Sequence, residues 1–145
     1  MNKYKINKDG RIVALTRGPW GDVGAIGGYV DSEDNLSHYD DCWIYDNAQV
    51  FGTAQVLDDA AVFDDAKVYD NAEISGNARV YGNSEVYGNA WVYGNAAVFF
   101  DAQVYDNSQV YGNAWVYDHA NVYGDMKITQ SYAYSIDIEK LVDEL

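Results

Sequence analysis

The 145 residues carry nine basic and twenty-three acidic side chains, a formal net charge of −14, so a basic patch for nucleic acid is excluded and no direct nucleic-acid binding is expected. No apolar run is long enough to span a membrane, the start from Met1 to Lys8 is polar rather than signal-like, and a single cysteine excludes a disulfide framework within one chain. The expectation is one cytoplasmic domain over 1–145.

In chain order, Tyr4-Lys5-Ile6 and Arg11-Ile12-Val13-Ala14-Leu15 flank Lys8-Asp9-Gly10 and read as a hairpin with a glycine turn; residues 1–25 are an N-terminal cap over an open end. Pro19, the one proline, falls here, ahead of any parallel sheet that would need its missing donor. Residues 26–43 read as an irregular first coil. Val30 and Leu36 are six apart but Leu36 and Ile44 eight, which puts a two-residue insertion near His38 to Asp41. Cys42 takes the place that alanine holds in later units and is expected as a small buried side chain.

From Ile44 through Val50, Val56 and Val62 to Val122 and Ile128, a valine or isoleucine returns every sixth residue, and a small residue follows four places later from Ala48 to Ala120. Met126 and Tyr132 end that second rule. In the unit V-Y-G/D-N-A-x, the alanine and the next valine are two apart and share a face, as in a short strand. The Gly-Asn or Asp-Asn pair supplies the corner, because Gly, Asn and Asp tolerate positive φ. Three such corners close a triangle of about eighteen residues, so each strand pairs in parallel with the one a coil later. Residues 44–133 therefore form the regular solenoid, about five coils. Beyond it, Ile138, Leu141, Val142 and Leu145 fall at helical spacing behind Ser135 as N-cap, so a short helix over 134–145 is expected to close the last coil.

The unit resembles the hexapeptide repeat of left-handed parallel β-helix proteins, whose first and fifth positions point inward. Gly27-Gly28-Tyr29-Val30, Asn35-Leu36-Ser37 and Cys42 to Ala48 are similar to the head of phage and enterobacterial members described as acetyltransferases. The resemblance implies an all-β, single left-handed triangular solenoid and a phage-encoded origin. For an acyltransferase it also implies a histidine on the coil, a projecting acceptor loop and a trimer sharing the site. His119 stands at the fourth position of its unit, one place out of register with the family's histidine; His38 lies in the irregular coil, and no loop interrupts 44–132. No cofactor or metal site is expected, since no phosphate loop, nucleophile–base set or metal-ligand cluster stands out.

The exterior is more informative. Twelve of the fifteen residues following the core aliphatic are aromatic, and at eighteen-residue spacing they line one side from Tyr45 to Tyr117, a second from Phe51 to Tyr123, and part of a third. Trp43, Trp91 and Trp115 take the outward position before the core residue, Trp43 and Trp115 on the first side and Trp91 on the third. Between 44 and 132 there are twelve acids and three bases, with Asp46, Asp64, Asp65, Asp101 and Asp118 recurring along one edge. Turn preference accounts for Asp at corners, and an acidic ridge facing a basic host protein is the functional alternative. The expected function is a non-enzymatic acidic binding protein that engages and inhibits a host nucleic-acid-handling or defence protein. Those five aspartates and three tryptophans are its candidate contacts. The alternatives are a hexapeptide acyltransferase using His119 or His38, and a structural or assembly module forming a dimer or trimer.

Overall fold

The computed structural model describes residues 2–132; the expected helix over 134–145 lies outside them. The hexads close as expected, into a three-sided parallel β-solenoid. One sheet stacks Trp43–Ile44, Ala61–Val62, Arg79–Val80, Ala97–Val98 and Trp115–Val116 (side one). A second begins at Gln49–Val50 and ends at Asn121–Val122 (side two), and a third runs from Gln55–Val56 to Lys127–Ile128 (side three). Each strand meets the one a coil away in parallel, as where Glu85 pairs with Lys67 on one edge and Gln103 on the other.

The inward columns make the core. Val50, Val62, Val80, Val98 and Val116 are fully buried, and so are the alanines at position five, such as Ala48, Ala66 and Ala90. Where serine replaces alanine, the buried hydroxyl needs a partner. Ser84 and Ser108 donate to the carbonyls of Tyr81 and Tyr105, at 2.8 and 2.7 Å. Each corner is a turn in which the position-five amide donates to the position-two carbonyl, as Ala66 does to Phe63 at 3.3 Å.

The start of the chain caps the first coil. Strand β1 (Tyr4–Ile6) pairs antiparallel with β2 (Arg11–Ala14), β2 pairs with β3 (Ile26–Val30), and β3 lies parallel to Gln49–Val50, so the hairpin extends side two. The irregular coil follows the expected break: Leu36 bridges to Val56 on side three, Ile44 pairs with Val62 on side one, and a loop with Asp40 at φ 59° separates them. Lys3 fastens this loop from inside. Its ammonium donates to the carbonyls of Asp40 and Cys42 at 3.2 and 2.8 Å and lies 3.4 Å from the Cys42 sulfur. Burial pushes the Cys42 thiol up, opposed by Lys3, which suits the small inert side chain expected there.

Candidate functional site

The corner between sides one and two carries two parallel columns. Position three reads Asp46, Asp64, Gly82, Phe100, Asp118, and position four reads Asn47, Asp65, Asn83, Asp101, His119. Position three has positive φ in every unit, between 56° and 69° from Asp46 to Gly124, so it selects Gly or a residue that tolerates the left-handed region. An aspartate there acts across coils. Asp46 accepts from the Asp64 amide at 3.1 Å and Asp64 from the Gly82 amide at 3.0 Å, and Asp58, Asp70 and Asp106 do likewise elsewhere. The carboxylate satisfies an amide that a turning backbone leaves without a ladder partner. At position four of the other corners, asparagines form ladders, such as Asn71 to Asn89 to Asn107.

The five candidate aspartates therefore differ. Asp46 and Asp64 each hold a backbone amide and are exposed. The Asp65 carboxylate makes no hydrogen bond among the described residues, and Asp101 lies 3.6 Å from the exposed His119 imidazole. Among the described residues no lysine or arginine forms an ion pair with a solenoid carboxylate; the pairs present are Arg17 with Asp22, His38 with Glu33, and His119 with Asp101. Asp46, Asp64 and Asp65, with Asn47, Gly82 and Asn83, line one shallow groove. An apolar notch of Tyr45, Ala61 and Phe63 adjoins it at Asp46.

From Phe51 to Tyr117 the position-two aromatics are stacked and half-buried. Phe63, Tyr81, Phe99 and Tyr117 stack at 4.6, 5.0 and 5.3 Å, and Phe51, Tyr69, Tyr87 and Tyr105 at 4.9, 4.9 and 5.0 Å. Three tyrosine hydroxyls on sides two and three reach back to the sheet. Tyr69 donates to Glu85 at 2.8 Å, Tyr87 to Gln103 and Tyr93 to Gln109 at 3.1 Å. Burial raises the Tyr69 phenol pKa, and Glu85 adds to the rise. Burial raises those of Tyr87 and Tyr93 as well.

The three tryptophans separate. Trp91 and Trp115 are about half exposed, on sides three and one. Trp43 is not an outward contact: it is 1% exposed, covered by Trp20 stacked at 4.6 Å and met edge-on by Tyr4. The periodicity predicts an outward, exposed side chain there, whereas Trp20 from the cap covers it. Sequence reasoning also passed over Phe100, the one residue at position three from Asp46 to Gly124 that is neither Gly nor Asp, with φ 56° and 55% exposed. A bulky residue held there costs about 1–3 kcal/mol. Its exception in a column of Gly and Asp was the available signal.

The two histidines sit far from each other in role. His38 stacks on Tyr4 at 4.1 Å, accepts from the Lys3 amide at its Nδ1 (3.1 Å), and lies 2.8 Å from Glu33 through Nε2. That amide contact leaves Nε2 to donate, so His38 is a joint between cap and first coil. His119 is exposed at the corner with Asp101 as its partner.

Residues 72–88 match the family model of the YdcK beta solenoid repeat. The chain is a β-solenoid repeat protein. The match covers about one coil of the solenoid, around Ile74, Val80 and Val86, and no curated protein matches the chain. Among the described residues, no helix of the solenoid is long and apolar enough to cross a membrane, and no group of three His, Cys, Asp or Glu is placed to hold a metal.

Proposed function

We propose that the solenoid is a non-enzymatic binding protein whose corner between sides one and two engages a basic surface on another protein. The observation that supports this is the excess acid of that corner: Asp46, Asp64, Asp65, Asp101 and Asp118 lie on one edge, where the described cations are His119, paired with Asp101, and Arg11, which bonds the Asp46 carbonyl and the Asn47 side chain at the cap end. The concrete form is occupation of the basic surface of a nucleic-acid-handling host protein, the place its phosphates would take. Solenoid rungs lie about 4.8 Å apart against about 3.4 Å per nucleotide along B-DNA, so the match is of charge and row rather than of spacing.

The test is competition. The solenoid is titrated into a complex of labelled duplex DNA with a cationic DNA-binding protein, at rising salt. The expected result is release of DNA by the solenoid, weakening steeply as the Debye length falls from about 10 Å at 0.1 M to about 3 Å at 1 M. Changing Asp46, Asp64, Asp65, Asp101 and Asp118 together to Asn keeps an acceptor oxygen for the next coil's amide and keeps tolerance of positive φ. That variant should fold and release no DNA; release equal to wild type would end the proposal.

A further inference from the structure

We infer that the cluster of Phe100 and Trp115 is the point on this acidic corner that takes an arginine side chain from a basic protein partner. The inference rests on the proposed function and names the partner's contacting chemistry. Phe100 holds a left-handed backbone at φ 56° where every other unit from Asp46 to Gly124 uses Asp or Gly. Burial does not offset that strain, because the ring is 55% exposed. A strained and exposed aromatic is a reason to look for an external partner.

Phe100 is not isolated. Its ring meets Phe99 edge-on at 5.0 Å, Trp115 meets the same Phe99 edge-on at 6.0 Å, and Trp115 is 50% exposed. Phe99 is itself held in the ladder between Tyr81 and Tyr117, so the two exposed rings flank a fixed one. Two acids lie close in register: Asp101, 3.6 Å from the His119 imidazole, is the next residue, and Asp118 takes the same corner position one coil later. Arg79, on side one, is two coils from Trp115 in the strand order.

Charge decides the occupant. A second copy would bring a net charge of −14 and its own acidic corner against this one. A guanidinium fits both halves of the cluster, since its plane stacks on an aromatic ring while its fork bonds a carboxylate. An ammonium fits the charge without the stacking. The preference is then for arginine over lysine, by about two- to fivefold for one exposed cation–π contact.

The probes are two synthetic peptides of equal length, one of alternating Gly and Arg and one of alternating Gly and Lys, titrated while the indole N–H signals of the four tryptophans are followed by NMR. The expected result is tighter binding of the arginine peptide, a shift of the Trp115 signal and an unmoved Trp91 signal. Phe100→Gly with Trp115→Ala should equalise the two peptides while leaving the charge-driven affinity. If wild type binds both peptides alike, or Trp91 moves instead of Trp115, the cluster is not the arginine site while the acidic-corner reading stands. If neither peptide binds, both readings fall. A Trp115 signal that broadens with protein concentration alone would make a second copy the occupant and overturn the inference. The wild-type measurements decide the matter even should the double variant unfold.

Discussion

A methyl group added at Gly82 would lie 2.8 Å from the Phe100 amide nitrogen, whereas one added at Gly52 would lie 3.3 Å from the nearest atoms, those of Asp70. Both glycines have left-handed φ, 69° and 64°, so alanine at either carries a conformational cost of about 1–2 kcal/mol. Only at Gly82 does the added atom also collide with the backbone of the next coil, for roughly a further 1–3 kcal/mol of overpacking. Gly82→Ala should therefore lower the unfolding free energy by clearly more than Gly52→Ala in denaturant titrations. Equal losses would mean that coil spacing at the corners is soft. The choice between Asp and Gly follows the same logic: Asp70 reaches forward to the Gly88 amide, and Gly88 itself faces Asp106 backbone at 2.8 Å, with no room for a side chain.

Among the elements, the hexad strands were legible and the cap was legible only in outline. Period, inward columns, the hairpin of Tyr4–Ile6 with Arg11–Ala14 and the insertion before Ile44 all follow from local pattern, since each side chain's direction is set by strand alternation and each corner by turn chemistry. Contacts between non-repeating segments carry no such period. Nothing local places Trp20 on Trp43, or buries Lys3 over the carbonyls of Asp40 and Cys42. The acidic corner was legible as position, but the amide caps made by Asp46 and Asp64 were not, because the donor amide lies in the same column a whole coil away. The cap's cover over side one is testable. Trp20→Ala should cost about 1–3 kcal/mol, below the range for a fully buried Trp because Trp20 is half-buried. It should also make Trp43 accessible to an aqueous fluorescence quencher; quenching unchanged from wild type would show that other residues cover it.

For the whole molecule, the ladders tie stability to pH at the alkaline end. Tyr69, Tyr87 and Tyr93 have phenol pKa values raised by burial, so the folded chain keeps protons that the unfolded chain releases near the ordinary value of about 10. Their contribution is complete below that pH and is lost as pH rises through the folded values. The last part of the tyrosinate absorbance rise should coincide with the loss of circular dichroism above about pH 10, and complete ionisation of the tyrosines with the fold intact would contradict the buried ladders. The parallel pairing described above has a further consequence. Because strand partners, stacked rings and corner carboxylates all meet across one coil, the repeating part of the molecule has a single characteristic sequence separation whatever its length. Duplication or loss of one whole coil would leave every surviving side chain on its own face with the same kind of neighbour, while loss of a single hexad would carry every later residue round to the adjoining face and split each column of charge or aromatic rings in two. The smallest heritable change of length that preserves such an edge is thus the complete turn, and the length of that edge can evolve separately from the residues it displays.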